Sequence, residues 1–344
     1  MKYLICQEWK NTKGNHAGMV HLCKLIHKKN PIDYKLIIVP DIIIYFSSKL
    51  LMSIQFKIQS YIYNIIYFFI TLKLALKIKK GDSIFLFEYL LKERNQYFIA
   101  KILNFFFGYK ITVYGLAHLT PTRLDLMYSK QELLKYTSVL DYSLTLGSSL
   151  TDYLVVNDVE KGRVITTFHY VDTAYYFPVK VSSTSSDFTV IVMGIQMRDF
   201  NMISNIVKTN SSVQFIICQA FFKMDSFFKD CLNVKLKGFM EEDELKKEIG
   251  KADVSLNLMI DTVGSNVITT CMAMGLALVV SDVGSIKDYC DEENAIFCKN
   301  EIDFNVAIKN LKENKELLLN MQKSSLQKST FFKFENFYCF FNTI

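Results

Sequence analysis

Short apolar runs recur along the chain, and most are followed by a polar loop and by a segment with apolar residues at helical spacing. Such runs are typical of buried strands, and the segments after them are typical of amphipathic helices. Strands that alternate with helices pair in parallel, because the chain must cross back before the next strand joins the sheet. The runs are residues 2–6, 34–39, 83–87, 109–114, 141–146, 188–193, 212–218, 234–238, 252–258 and 276–281. The pattern therefore predicts an α/β protein with parallel sheets.

The stretch from 252 to 289 shows this pattern most clearly. After the apolar run 252–258, Ser265 or Asn266 occupies the position of a helix cap, because its side-chain oxygen can accept an amide of the first turn. Gly275 ends the predicted helix, and the next apolar run follows directly. The start of such a helix presents free N–H groups and partial positive charge. It is therefore a predicted anion site.

The same stretch resembles the donor-binding motif of the family-4 glycosyltransferases. In that family a Glu, seven residues and a second Glu precede Ala-Met-Ala-x-Gly and Pro-Val-x-x-Ser-x-x-Gly-Gly. Here residues 271–275 are CMAMG and residues 276–285 are LALVVSDVGS, in the same frame. Thr262 and Thr270 stand where the family has its two Glu residues, which hold the donor sugar and the nucleotide ribose.

The resemblance implies the GT-B fold, in which two Rossmann-like domains face each other across a cleft and the C-terminal helix crosses back to the first domain. Residues 171–178 resemble the segment that ends the first domain in that family, and the Ser-rich residues 181–187 indicate a linker. We expect an N-terminal acceptor domain over residues 1–178 and a C-terminal nucleotide-sugar donor domain over residues 179–330. The aromatic tail, residues 331–344, is expected to pack on the N-terminal domain.

For the second domain, the resemblance implies that the loop after its first strand clamps the donor diphosphate. This loop contains Gly194 and Arg198, and the planar guanidinium fork suits a phosphate. We expect the diphosphate to bind Arg198 and the N–H groups of Ser265, Asn266 and Val267, and Arg198 also to stabilise the departing diphosphate. The alternative is that Arg198 is a solvated charge of a surface loop.

The substituted motif also bears on how the donor sugar is held. The hydroxyls of Thr262 and Thr270 could donate hydrogen bonds to sugar or ribose oxygens, although a hydroxyl is a weaker partner than a carboxylate. Asp261, one residue out of frame, could supply part of the missing negative charge. All three residues are therefore candidate donor-binding residues.

The first domain offers fewer candidates. Gly14 and Gly18 lie in the long loop after the first predicted strand, where the resembled family has glycines that let the backbone approach the donor phosphates. A plain surface loop is the alternative. His118 follows the strand that ends near Tyr114, and the family often has a His there, close to the transferring sugar. His118 is therefore the candidate catalytic residue of this domain, with a structural hydrogen-bonding role as the alternative.

Composition and charge give no indication of a nucleic-acid-binding protein or of a metal site. The chain has 344 residues, half of them hydrophobic, and a formal charge of +6, with no recognisable nucleic-acid-binding module. The eight cysteines show no metal-ligand spacing, and no Asp-x-Asp motif is present, so we expect neither a metal site nor a cofactor. Free thiols and the lack of a signal peptide indicate a cytoplasmic protein.

Residues 42–80 form an unusually apolar region that ends in several lysines. Fifteen uncharged residues lie between Lys57 and Lys73, fewer than the roughly twenty of a spanning helix. We expect either a core helix of the first domain or an interfacial helix whose Lys-edged apolar face rests on the cytoplasmic side of the inner membrane.

The resemblance implies a metal-independent, retaining glycosyltransferase of the hexosyltransferase type. It would move a sugar from a UDP- or GDP-linked donor to a glycan or lipid-linked acceptor, in surface polysaccharide synthesis. One alternative is a sugar-nucleotide 2-epimerase of the same fold, although the second-domain motif has few carboxylates for that chemistry. The other is a non-catalytic GT-B partner subunit that lacks both Glu residues.

Overall fold

The computed structural model of the protein describes residues 1–12, 14–42, 49–94, 96–108, 110–178 and 188–344. The linker predicted at residues 181–187 lies outside these described residues. The chain divides into two compact units, Met1–Phe168 and His169–Ile344. The segment 171–178, which we assigned from the sequence to the end of the first domain, belongs to the second unit.

The described part of the first unit contains one six-stranded sheet in which every strand pair is parallel, in the order β2-β1-β3-β4-β5-β6. The strands are β1 (Lys2–Gln7), β2 (Tyr34–Val39), β3 (Ser83–Tyr89), β4 (Thr112–Ala117), β5 (Tyr142–Thr145) and β6 (Val164–Thr166). The helices are α1 (Met19–Lys29), α2 (Lys49–Ala75), α3 (Tyr97–Phe107), α4 (Pro121–Met127), α5 (Lys130–Thr137) and α6 (Ser148–Val156).

The second unit repeats this plan with the strand order β12-β11-β10-β7-β8-β9, again with every pair parallel. The strands are β7 (Thr189–Met193), β8 (Gln214–Ala220), β9 (Val234–Gly238), β10 (Val254–Asn257), β11 (Ala277–Ser281) and β12 (Ala295–Cys298). The helices are α7 (Phe200–Thr209), α8 (Asp225–Phe228), α9 (Glu242–Ile249), α10 (Asn266–Ala273), α11 (Glu301–Glu313), α12 (Lys315–Ser329) and α13 (Phe334–Thr343).

Local sequence explains where many of these elements begin. Side-chain oxygens of Asp199, Ser265, Asn300 and Asn314 accept amides of the first turn of α7, α10, α11 and α12 respectively, which satisfies groups that a helix start leaves unpaired. The central strands β7, β10 and β11 are buried along their whole length, as expected for parallel strands covered by helices on both faces.

The predicted α/β class with two parallel sheets is confirmed. Helix α13 makes up most of the aromatic tail, which is part of the second unit, where a backbone bridge joins Lys333 to Val171. Its predicted packing on the first domain, and the crossing of the last helix, stay predictions.

Candidate active site

The second unit places a buried arginine where the order of its strands reverses. β7 lies between β8 and β10, so strands after β7 are added first on one side and then on the other. In open parallel sheets, ligands bind beyond the carboxyl ends of the strands at such a reversal. Arg198 lies in the loop after β7, and a backbone bridge joins it to Met259 in the loop after β10. The predicted candidate Arg198 therefore lies at the expected edge of the sheet.

The Arg198 side chain is not a solvated loop charge, because the residue is only 8% exposed. Its Nη2 donates to Asn257 Oδ1 at 3.2 Å, while Nε and Nη1 have no hydrogen-bond partner among the described residues. Burial lowers the pKa of Arg198 to about 10, so the guanidinium remains charged at neutral pH. Burial also raises the pKa of the neighbouring Cys271 thiol to about 12, so Cys271 supplies no negative charge. A buried charge without a partner costs several kcal/mol.

The neighbours of Arg198 hold it in a defined orientation. Asn257 is fully buried at the end of β10, and its Nδ2 donates to Ser255 Oγ at 2.9 Å, which directs Oδ1 toward the guanidinium. A methyl group built on Gly194 would lie 3.5 Å from Arg198 Nη2 and 3.5 Å from Val267 Cγ2. Gly194, Arg198 and the start of α10 are therefore brought together. Asn257 was not predicted from the sequence, because a single Asn at a strand end carries no motif.

The start of α10 is capped by its own sequence. Ser265 Oγ accepts the N–H of Val267 at 3.1 Å, and the Ser265 carbonyl accepts the N–H of Ile268 at 3.0 Å. The predicted contact between Val267 N–H and a phosphate must therefore replace an existing hydrogen bond. The contacts predicted for the amides of Ser265 and Asn266 stay predictions.

The residues at the substituted motif positions are mostly committed to their own loop. Thr262 is buried, its Oγ1 accepts the N–H of Gly264 at 3.1 Å, and its own N–H donates to Asp261 Oδ1 at 2.8 Å. Thr270 is buried within α10. The hydroxyl of Thr262 and one oxygen of Asp261 thus stabilise the loop between β10 and α10. Their predicted contacts with a sugar would require this loop to rearrange.

Two glycines allow this loop to pack directly against the loop after β11. A side chain on Gly264 (φ +94°) would begin 2.2 Å from the Tyr289 ring, and one on Gly284 (φ +52°) would begin 2.1 Å from the carbonyl oxygen of Thr262. Tyr289 is itself fixed, because its hydroxyl accepts the N–H of His169 at 2.9 Å and its ring stacks on Phe332. These contacts pack the loop before α10 closely against the loop after β11.

Exposed aromatic rings follow β8 and β9, the two strands that lie next to one another on one side of β7. Phe221, after β8, is 68% exposed, and its ring stacks on that of Phe239, after β9, with centroids 4.5 Å apart. Phe222 stacks on Phe200 at the start of α7, which connects these rings to the loop that carries Arg198. Exposed stacked rings at a ligand-binding edge suit a planar ligand. Neither Phe221 nor Phe239 was predicted from the sequence as a site residue.

The first unit also carries charged groups where its strand order reverses, between β1 and β3. His118, the predicted candidate, follows β4, and its Nε2 lies 2.9 Å from Oε2 of the buried Glu88 on β3. Trp9, after β1, donates from Nε1 to Glu88 Oε1 at 3.2 Å. Burial lowers the pKa of His118, but the charge of Glu88 and the hydrogen bond to it raise this pKa by more, so the net shift is upward. Neither Glu88 nor Trp9 was predicted as a partner.

A second ion pair extends this group. Arg94 Nη2 lies 2.5 Å from Asp41 Oδ1, both side chains are largely buried, and the guanidinium carbon is 4.0 Å from the centre of the Trp9 ring. The group formed by Trp9, Asp41, Glu88, Arg94 and His118 is called the Trp9 cluster below. It assembles residues from five separate segments, so the sequence alone gave no pattern from which to predict it.

Gly14 lies in the loop before α1, and Gly18 is the N-cap residue of α1. Because Gly18 has no side chain, no cap hydrogen bond is made at this helix start. Both glycines line a small pocket together with Trp9 and Lys24. Backbone amides at the start of a long helix can bind an anion. Their predicted contact with donor phosphates stays a prediction.

Comparisons with known proteins support the fold assignment. Residues 202–314, all in the second unit, match the family model described as glycosyl transferases group 1. No curated protein sequence matches the chain.

Several solved structures share the fold over almost the whole chain. Sucrose-phosphate synthase from Thermosynechococcus elongatus is 9% identical, with a TM-score of 0.74 over 100% of this chain and 98% of its own. The lipopolysaccharide outer core galactosyltransferase WaaB, in its apo form, is 12% identical, with a TM-score of 0.68 over 100% of both chains.

Anabaena Alr3699/HepE in complex with UDP is 11% identical, with a TM-score of 0.72 over 100% of this chain and 99% of its own. The same protein also matches in a complex with UDP-glucose. At these identities the likeness shows the fold alone. This is the GT-B fold, in which each of two α/β units contains a parallel sheet.

Proposed function

We propose that the protein is a glycosyltransferase that transfers a hexose from a UDP- or GDP-linked donor to a glycan or lipid-linked acceptor. The donor binds to the second unit at the carboxyl ends of β7 and β10. The GT-B fold and the family-model match over residues 202–314 support sugar transfer. The resemblance to family 4, with Thr262 and Thr270 in the two Glu positions, supports a reaction that retains anomeric configuration.

The observation that carries this proposal is the uncompensated guanidinium of Arg198. Two of its nitrogens are buried without a hydrogen-bond partner in the described part of the chain. Among charged ligands, a diphosphate fits this environment because it supplies several acceptor oxygens and negative charge together. The adjacent start of α10 adds partial positive charge directed at the same ligand.

The same geometry favours the departure of the nucleotide. In the proposed reaction the acceptor hydroxyl oxygen forms a bond to the anomeric carbon while the bond from that carbon to the diphosphate breaks. The hydroxyl proton passes to a diphosphate oxygen. Negative charge develops on the leaving diphosphate, and the fixed positive charge of Arg198 stabilises it without reorganisation. Because Arg198 supplies this charge, we propose that no metal ion is needed, so a chelator should leave the rate unchanged.

The remaining donor contacts are proposals of finer detail. The stacked rings of Phe221 and Phe239 would bind the face of the uracil or guanine base. Ser265, Asn266 and Gly194 would contact the phosphates through their backbone. Thr262, Thr270 and Asp261 would contact sugar or ribose hydroxyls after the loop between β10 and α10 shifts.

The first unit is the proposed acceptor side. Glu88 raises the pKa of His118, so His118 is suited to donate a hydrogen bond to a sugar oxygen rather than to accept one. Gly14 and Gly18 would bind the donor phosphates through their backbone amides. A cytoplasmic protein in contact with the membrane, acting in polysaccharide synthesis, remains part of this proposal. None of the helices in the described ranges combines the length and hydrophobicity needed to cross a bilayer.

The decisive experiment is calorimetric titration of the whole chain with a panel of UDP- and GDP-sugars, followed by an assay of transfer and donor hydrolysis. Arg198→Ala is expected to weaken nucleotide binding by about 100-fold or more, because it removes two charge-assisted hydrogen bonds. The matched control is Arg123→Ala, which removes a guanidinium next to the exposed N-terminal turn of α4. Equal affinities for the wild type and Arg198→Ala would remove Arg198 from the site.

A second candidate function is a non-catalytic partner subunit that binds a nucleotide sugar but does not turn it over. The burial of Thr262 favours it, because neither a carboxylate nor an exposed hydroxyl is then presented at that position. Binding without transfer or hydrolysis for every donor in the panel would support this function. Measurable turnover would exclude it.

A further inference from the structure

Helix α2 has its polarity reversed relative to an ordinary surface helix. Its inner face carries polar atoms: Tyr67 donates to the carbonyl of Arg94 at 3.0 Å, and Thr71 donates to the carbonyl of Tyr67 at 2.6 Å. Tyr63, one turn before Tyr67, is fully buried and accepts the N–H of Ile42 at 2.9 Å. The hydroxyls of Tyr63, Tyr67 and Thr71 are thus hydrogen-bonded inside the first unit.

The outer face of α2 is apolar along its length. Eight large apolar residues are exposed there, and their exposed fractions range from 37% for Ile58 to 81% for Leu76. At 100° per residue they fall within an arc of about 100° around the helix axis and extend over about 33 Å, including the turn after Ala75. They are Ile54, Ile58, Tyr61, Ile65, Phe68, Phe69, Leu72 and Leu76. This set is called the outer face below.

The charge around the outer face has one sign. Residues 42–81 contain six lysines and no acidic residue, so this segment has a formal charge of +6, which equals the net charge of the entire chain. Lys57 and Lys73 flank the outer face, and Lys77, Lys79 and Lys80 follow the end of the helix and are exposed. A long apolar stripe bordered by lysines fits a surface whose outer layer is anionic and whose deeper layer is apolar.

We propose that the outer face binds the surface of an anionic lipid bilayer, with α2 lying parallel to the membrane plane. The apolar side chains would enter the region below the headgroups, while the lysines contact anionic phosphates. A second copy of this chain is a poorer occupant, because a symmetric contact would bring two sets of lysines against each other. This inference goes beyond sugar transfer and stands even if that activity is absent.

The test is cosedimentation of the full-length protein with vesicles of phosphatidylcholine alone, or of phosphatidylcholine with phosphatidylglycerol. Binding is expected with the anionic vesicles, and high salt should weaken it because screening removes the headgroup attraction. The triple variant Ile58→Ser, Ile65→Ser, Phe69→Ser is expected to weaken binding by at least about tenfold. Each of Lys57→Gln and Lys73→Gln should weaken it by about fivefold.

The matched control is the triple variant Leu126→Ser, Val156→Ser, Leu232→Ser, which removes exposed apolar side chains outside the outer face and should bind like the wild type. Equal loss in both triple variants, equal binding to neutral and anionic vesicles, or no vesicle binding would each overturn the proposal. A stable dimer that the first triple variant dissociates, detected by sedimentation velocity without lipid, would assign the outer face to a second copy instead. Circular dichroism confirms folding, and nucleotide titration of the same variants tests the donor site separately.

Discussion

The two units each bury one arginine at the edge of the sheet where the strand order reverses, but they treat its charge differently. Arg94 of the first unit is 7% exposed and is paired with Asp41 at 2.5 Å, with its guanidinium stacked on Trp9. Arg198 of the second unit is 8% exposed, and its one hydrogen-bond partner among the described residues is the neutral oxygen of Asn257 at 3.2 Å. One charge is neutralised by the fold, and the other is not.

This is the difference that we expect between a structural arginine and the ligand-binding arginine proposed above. The Arg94–Asp41 pair returns part of the cost of removing both ions from water, so the fold gains from keeping the pair intact. Arg198 has no ionic partner in the described part of the chain, so we expect the native state to be less stable than it would be with an apolar residue there, unless an anion is bound. Such a local sacrifice of stability is typical of binding sites that must receive a charged ligand.

Replacement of each arginine by methionine should give opposite results, and this is the largest effect we expect. Arg94→Met leaves the Asp41 carboxylate buried and unpaired, so the free energy of unfolding of the first unit should fall by about 3–5 kcal/mol. Arg198→Met removes a charge that has no ionic partner, so stability should remain unchanged or rise. Urea unfolding followed by circular dichroism and by Trp9, the single tryptophan of the chain, measures both.

The double variant Asp41→Asn, Arg94→Met serves as the control, because it removes both charges and should recover much of the lost stability. Equal destabilisation by Arg94→Met and Arg198→Met would mean that Arg198 also has a structural partner. The distinction between the two units would then be lost.

Asn257→Asp should give Arg198 a carboxylate partner like the one that Arg94 has in the first unit. Its effect on stability should be smaller than that of Arg94→Met. Asp has the shape of Asn, so a carboxylate oxygen would lie near Arg198 Nη2 and neutralise it. Nucleotide affinity should fall by about tenfold to thirtyfold, while the free energy of unfolding should rise by about 1 kcal/mol. Calorimetric titration and thermal unfolding measure the two changes.

Ser255→Ala is the matched control for this substitution, since it removes the hydrogen bond that orients Asn257 without adding charge. Its effect on nucleotide affinity should be smaller than that of Asn257→Asp. Tighter nucleotide binding by Asn257→Asp would contradict the assignment of Arg198 as an anion receptor.

The sequence predicted the fold well because the information is local. Strand β11 and helix α10 follow from an apolar run and from the capping residue Ser265, which lies next to the helix that it caps. The position of Arg198 was also predictable, because it directly follows a strand in a recognisable order of elements.

The partners of the site residues were not predictable in this way. Whether Arg198 is paired depends on Asn257, and whether Arg94 is paired depends on Asp41, both of which are distant in the sequence. We expected the amide of Val267 to be free to bind a phosphate. In the structure it donates to the side chain of Ser265, although the sequence had already indicated Ser265 as a capping residue. The polarity of α2 follows the same rule, because only the packed unit shows that the tyrosine face points inward.

The smallest effect we expect concerns the other pair of the Trp9 cluster, Glu88 and His118. Because Glu88 raises the folded-state pKa of His118, this pair contributes stability that is fully present below the unfolded-state pKa and is lost as pH rises through the folded-state value. Glu88→Gln should bring the pKa of His118 below its ordinary value of 6.5, because burial alone lowers it. Titration of the His118 ring protons by NMR measures this shift.

The stability difference between wild type and Glu88→Gln should therefore be largest at acidic pH and shrink as the pH rises, with Trp9 fluorescence as the readout. In a His118→Gln background, Glu88→Gln should lose this pH dependence. An unchanged His118 titration in Glu88→Gln would show that the contact at 2.9 Å carries little charge interaction. The first unit would then neutralise only Arg94 internally, and His118 would join Arg198 as a group whose partner arrives with the substrate.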